Sequence, residues 1–127
     1  MEITRAYVKS ILPHRDPEGH KGTFGKVYCL CGAVGYTGAP VLAAAAAVRS
    51  GSGLVFLGVP EDIWPIVAVK CDSAMPSPLP SQQGKLALAA EDAVRAQIDG
   101  CDAVLIGCGM GRSEESDALT RRLIDMD

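Results

Sequence analysis

The stretch Lys26–Val59, KVYCLCGAVGYTGAPVLAAAAAVRSGSGLVFLGV, decides the fold. Lys26–Leu30 continues through Cys31 into Gly32, and a run this short, apolar and glycine-bounded suits a buried strand. The loop Gly32–Gly38 follows. Pro40 then suits the first turn of a helix, where its missing N–H does no harm, and Ala43–Ala47 is the best helix-forming composition available. Gly51 is a natural stop. Leu54–Val59 is a second buried strand. Strand, helix and strand within this span make a βαβ unit, so the two strands are expected to be parallel with a right-handed crossover.

Working outward, Asp62–Lys70 reads as a short helix with Pro65 in its first turn. Cys71–Gln83, in which Pro76, Pro78 and Pro80 alternate with other residues, reads as a linker. Lys85–Ile98 reads as one helix. Leu86, Ala90, Ala93, Val94 and Gln97–Ile98 trace a mostly apolar face, and Glu91 and Arg95 form an (i, i+4) pair in the favourable order. Asp102–Ile106 reads as a third buried strand, followed by the loop Gly107–Gly111. Ser113 is placed to cap a last helix that has acids in its first turn and Arg121 and Arg122 near its end. Residues 1–25 read as a leading segment, with a helix over Thr4–Leu12 and loop beyond Pro13. The fold class is therefore α/β, a parallel-sheet three-layer sandwich. Three strands are few for such a sheet, and the chain stops after a helix, where another strand would be expected.

Composition narrows the function classes. The chain has 127 residues, 48% of them hydrophobic and 21% charged, which fits a globular domain. The net charge is −3, so there is no cationic excess to hold a nucleic-acid backbone. No apolar run approaches membrane-spanning length and no signal-peptide pattern opens the chain, so a cytoplasmic location and no membrane partner are expected. The five cysteines (Cys29, Cys31, Cys71, Cys101 and Cys108) are odd in number and include no CxxC pair, which disfavours a zinc site or a disulfide framework. Cys29 and Cys31 would share one face of their strand as buried thiols.

Two loops share one design of apolar strand, glycine-rich turn and helix: Gly32–Pro40 and Gly107–Ser113. Such loops lie at the carboxyl edge of a parallel sheet, where α/β proteins bind ligands, although glycines also serve simply to make tight turns. Glu114, Glu115 and Asp117 open the helix after the second loop and would repel a phosphate, whereas no acid opens the helix after Gly38. An anion therefore fits beside Gly38–Pro40, and the second loop suits a neutral ring or sugar. Neither loop has GxGxxG spacing. Glu61, just after the second strand, leaves the idea of a ribose-binding acid open. Gly25-Lys26 precedes its strand, unlike a P-loop, and GxSxG is absent. Lys21 could contact an anion and His20 could exchange protons near neutral pH, or both could belong to a solvated loop. Tyr36 could stack on a ligand, or cover its own loop.

The blocks His20–Val27, Gly32 with Tyr36–Pro40, and Ala46–Val55 together resemble the NAD(P)H-hydrate dehydratase family, and Gly107-Cys108-Gly109-Met110-Gly111 is similar to its Gly-Pro-Gly-Leu-Gly loop. The resemblance implies a ribokinase-like fold, of which residues 1–127 would be the N-terminal half, an incomplete domain. It implies use of ATP or ADP, with Mg²⁺, to dehydrate the S epimer of hydrated NADH or NADPH by phosphorylation and elimination. By matched position, Tyr36, Gly38, Ala39, Pro40, Gly107, Gly109 and Gly111 would line the hydrated-cofactor site.

Cys108 stands where the family has proline, and Met110 where it has leucine. Met for Leu nearly conserves volume; Cys for Pro loosens the loop. The family's nucleotide-binding loop and catalytic base come later than residue 127. The resemblance therefore assigns no catalytic residue or metal ligand here, places most of the ATP site outside these residues, and implies that they are inactive alone. An unpaired sheet edge and small-residue helices suggest self-association into a homo-oligomer. The alternatives are a ribokinase-like kinase for a sugar or vitamin precursor, and a non-catalytic nucleotide-binding module.

Overall fold

A computed structural model describes Glu2–Met126; the expectation attached to the chain's stopping at Asp127 lies outside the described residues. The elements in chain order are α1 (Arg5–Ile11), β1 (Lys26–Leu30), α2 (Gly38–Arg49), β2 (Leu54–Pro60), α3 (Trp64–Lys70), β3 (Met75–Leu79), β4 (Ser81–Gln82), β5 (Lys85–Leu86), α4 (Glu91–Ile98), β6 (Ala103–Ile106) and α5 (Glu114–Ile124). Short 3-10 turns occupy Lys21–Phe24 and Leu88–Ala90.

The main sheet has the order β3-β2-β1-β6 and is parallel throughout. Lys26 is opposite Leu54 and Leu30 opposite Gly58, so the βαβ unit forms in the expected parallel sense. The alternation of side chains along β1 builds two cores. Cys29, Cys31, Val55, Leu57 and Val59 pack against Ala44 of α2 and Val67 of α3 on one face. Tyr28 and Leu30 pack with Val94 of α4 and Leu119 and Leu123 of α5 on the other. This is the three-layer sandwich, and strands buried on both faces read as continuous apolar runs.

Three expectations are corrected. Cys71–Gln83 is not a linker: it contains β3, paired with β2, so the main sheet has four strands rather than three. Prolines at alternate positions of β3 remove donors, which an edge strand tolerates because one row of its N–H groups has no strand to pair with. The Pro76 carbonyl accepts from the Trp64 indole N–H at 3.0 Å, so Trp64 covers that edge.

Lys85–Ile98 is not one helix. Gln83 and Gly84 both adopt positive φ, 51° and 74°, the signature of a type I′ turn, and they join β4 and β5 as an antiparallel hairpin. Helix begins only at Glu91. Of the expected apolar face Leu86, Ala90 and Val94 are buried and Ile98 is half-buried, but Ala93 is exposed.

The strand after Asp102 is not buried. β6 is the other edge of the sheet, with Ala103, Val104 and Leu105 exposed.

Ser113 caps α5 in a reciprocal box with Ser116, and Glu91 pairs with both Arg95 and Arg122. Thr4 caps α1, whose residues are all exposed. The leading segment is tied down at Arg15, which lies 3.8 Å from the Phe24 ring centroid and donates to the Gly51 carbonyl at 2.8 Å. Among the described residues, no helix is long and apolar enough to cross a membrane.

Candidate functional site

β1 and β6 are neighbours, so their loops emerge side by side at the carboxyl edge of the sheet. The two loops are bonded to each other. The Gly32 N–H donates to the Cys108 carbonyl at 2.9 Å, and the Gly107 N–H donates to the Leu30 carbonyl at 3.2 Å. A side chain at Gly109, where φ is +69°, would begin 2.5 Å from the Ala39 Cβ and 3.2 Å from the Tyr36 Cβ. Tyr36, Gly38, Ala39, Gly107, Gly109 and Gly111 thus lie along one surface, of which the expected Pro40 is not an exposed part. Pro40 is buried beneath it, while Tyr36 projects from it with 58% of its surface exposed. Gly35, Gly38 and Gly107 have open space where a side chain would begin.

The two helix starts differ in how their backbone is satisfied. At α5 the Ser113 side chain accepts from the Ser116 N–H at 3.1 Å. At α2 the Thr37 side chain makes no cap bond, and the first turn carries no acid. An uncapped helix start beside open glycines is favourable for an anionic group. The acids of α5 are partly engaged: Glu115 accepts from the Leu88 N–H at 2.9 Å, and Asp117 pairs with Arg112 at 3.0 Å.

Lys85 joins this surface. The β4–β5 hairpin packs on the first loop, where the Val34 N–H donates to the Gly84 carbonyl at 2.8 Å. The Lys85 side chain then runs against Gly111, its Cε 3.1 Å from where a Gly111 side chain would begin. Reading Lys85 as the start of a helix hid this placement. The available signal was Gln83-Gly84, a two-residue turn between Ser81-Gln82 and Lys85-Leu86.

His20 and Lys21 are not part of this surface. They precede β1, at the amino edge of the sheet, where the Lys21 carbonyl lies against Gly53 and the His20 Nδ1 accepts from the Gly22 N–H at 3.1 Å. Glu61 lies at the end of β2, exposed, its N–H bonded to the Leu79 carbonyl at 2.9 Å.

Beneath the loops, burial pushes the Cys31 thiol up to about 12, with Cys108 beside it adding to the shift, and pushes the Cys29 thiol up to about 11. Cys29 and Cys31 are buried thiols, as expected, and Cys108 is exposed. Among the described residues, no group of three His, Cys, Asp or Glu side chains is placed to hold a metal ion.

Residues 27–127 match the family model described as NAD(P)H-hydrate dehydratase. The chain is 37% identical over 123 residues to the bifunctional NAD(P)H-hydrate repair enzyme Nnr of Moorella thermoacetica, a match covering 96% of this chain and 23% of that protein. Among solved structures it is similar to the ADP/ATP-dependent NAD(P)H-hydrate dehydratase of Bacillus subtilis co-crystallised with ATP/Mg²⁺. There the TM-score is 0.73 and the identity 30%, over 98% of this chain and 42% of that one. A ribokinase-like superfamily protein of Enterococcus faecalis shares the fold, with a TM-score of 0.75 at 19% identity, over 95% of this chain and 39% of that one. The chain therefore spans from 23% to 42% of the length of these proteins.

Proposed function

The chain belongs to the NAD(P)H-hydrate dehydratase family, and from that premise we propose that it supplies the hydrated-cofactor side of an enzyme that restores NADH or NADPH from the S hydrate at the expense of ATP or ADP. The observation that carries this reading is the junction of the two glycine loops within the matched residues, with the uncapped start of α2 beside it. In this reading the pyrophosphate of the dinucleotide lies against Gly38 and Ala39, above buried Pro40, where the free Gly38 N–H, the start of the α2 dipole and the absence of acids favour negative charge. The ring or sugar lies along Gly107, Gly109 and Gly111, with Tyr36 as the side chain that stacks on it. The ammonium of Lys85 adds a positive charge on the second-loop side.

His20 and Lys21, at the opposite edge of the sheet, could contact an anion only separately from this surface. Mg²⁺ is typically held by nucleotide phosphates with one or two carboxylates, and it would enter this reading with the nucleotide. Phosphoryl transfer needs nucleotide, metal and base held together, and these residues alone are expected to give no turnover. We also take the chain to be cytoplasmic and to self-associate.

The test is a graft. Residues 27–127 replace the matching segment of the Bacillus subtilis enzyme. The folded chimera and the 127-residue chain are each given hydrated NADH, Mg²⁺ and ATP or ADP. Return of near-ultraviolet dihydronicotinamide absorbance in the chimera only is the expected result. A folded chimera that phosphorylates a sugar or vitamin precursor without elimination would select the kinase reading. One that binds nucleotide and turns nothing over would select the binding module.

A further inference from the structure

The two outer layers of the sandwich carry different surfaces. Around α4 and α5 the outward residues are mostly charged or small and are cross-linked by the Glu91, Arg95 and Arg122 pairs, with Ile124, 69% exposed, as the large apolar exception. Around α2 and α3 they are apolar: Leu42 is 72% exposed, Ile66 47% and Val69 82%. The same layer holds a cleft of about 230 Å³ between α2 and the end of α3, lined by Val41, Ala44 and Val48 among others. Apolar residues grouped this way on an outer face mark a contact surface more often than isolated ones do.

The charges around this face are separated end from end. Glu61 and Asp62 precede α3 at the carboxyl edge, and both are exposed. Arg49 and Lys70 end α2 and α3 at the amino edge, lining the same cleft, with Asp72 as the one acid beside them. None of Glu61, Arg49 and Lys70 has an ion-pair partner among the described residues. Asp62 accepts from the Ser81 hydroxyl, which leaves Glu61 as the acid free to act outward. A surface that is acidic at one end, basic at the other and apolar between is complementary to itself when turned through a two-fold axis.

We infer that the α2–α3 face is the contact between two copies of this chain, packed antiparallel about a two-fold axis near Ile66. Leu42, Ile66 and Val69 of each copy meet at the centre, and Glu61 of each faces Lys70 and Arg49 of the other. α3 is about 10 Å long, so an axis through its middle brings its acidic and basic ends into register. This inference rests on the self-association reading, names the surface for it, and is independent of the dehydratase reading. Rival surfaces are the exposed edge of β6 and the leading segment, where Ile3, Ile11 and Leu12 are exposed.

The experiment is sedimentation equilibrium on the full chain and four variants, with circular dichroism to confirm that each is folded. Glu61→Lys and Lys70→Glu should each weaken the dimer by at least about tenfold, because each sets like charges opposite one another at both ends of the contact. An equimolar mixture of the two should dimerise again, since positions 61 and 70 are then of opposite sign at both ends of the contact, with Arg49 unchanged. Val69→Glu should abolish the dimer, and Leu105→Lys, on the β6 edge, should leave it intact. If the unaltered chain dimerises but the charge variants do not weaken it, or the mixture does not restore it, this face is not the contact. If Leu105→Lys is the variant that dissociates the dimer, the contact is the sheet edge. A chain that stays monomeric throughout overturns both the surface and the self-association reading.

Discussion

Glycine serves opposite ends at the two edges of the sheet. At the amino edge Gly53 is enclosed: an added Cβ would overlap the Lys21 backbone carbonyl, and the Gly53 N–H is bonded to Gly25 and Phe24 carbonyls at 3.0 and 3.1 Å. At the carboxyl edge Gly35, Gly38 and Gly107 face empty space. A glycine forced by its neighbours tells how a chain packs. A glycine with room around it, on a strand-to-helix loop, leaves backbone open to an approaching ligand.

The widest test of this contrast is Gly53→Ala. The overlapping atom is backbone and cannot swing aside, so a loss of at least about 3 kcal/mol is expected in a urea unfolding curve. A loss below about 1 kcal/mol would mean that the amino edge yields more readily than its packing implies.

Alkaline titration comes next. Cys29 and Cys31 carry folded-state thiol values of about 11 and about 12 against an ordinary 9.0. Unfolding therefore releases their protons more readily. Their contribution is intact below pH 9 and is lost as pH rises toward 12, so stability should decline across that window. In the native protein at pH 8, a thiol reagent should modify exposed Cys108 and spare both buried thiols. Fast labelling of Cys31 would show that the open edge extends into the core.

Ser113→Ala removes the α5 cap and should cost about 1 kcal/mol in thermal unfolding. The equivalent change at Thr37 should cost little, because its side chain makes no cap bond.

The smallest effect on stability is expected for Gly38→Ala. The added methyl meets nothing, and alanine favours the helix by up to about 1 kcal/mol. The melting temperature should hold or rise, while turnover of hydrated NADH in the grafted enzyme falls at least about tenfold. Unchanged turnover would remove Gly38 from the site.

What could be read from residues alone follows the same physics. The unit Lys26–Val59 was legible because both faces of its strands are covered, which makes their sequence uniformly apolar. β3 was not legible. Its Pro76 and Pro78 contradict the rule for interior strands, and only its edge position, with Trp64 against Pro76, reconciles them. β6 misled in the other direction: Val104 and Leu105 are as apolar as interior residues yet lie at an edge. In the candidate site, the glycine loops could be picked out by their spacing after strands. Lys85 could not, because its arrival beside Gly111 depends on a hairpin turn that a helical pattern overrode.

The bond from Trp64 to Pro76 has a practical side. Trp64 is the chain's only tryptophan, so intrinsic fluorescence comes chiefly from the β3 edge and the α3 surface beside it. Half-covered, with its N–H engaged by a carbonyl, the indole is placed to emit differently once the edge comes loose. Fraying of that border can thus be followed optically, without any attached dye, apart from global melting seen by circular dichroism.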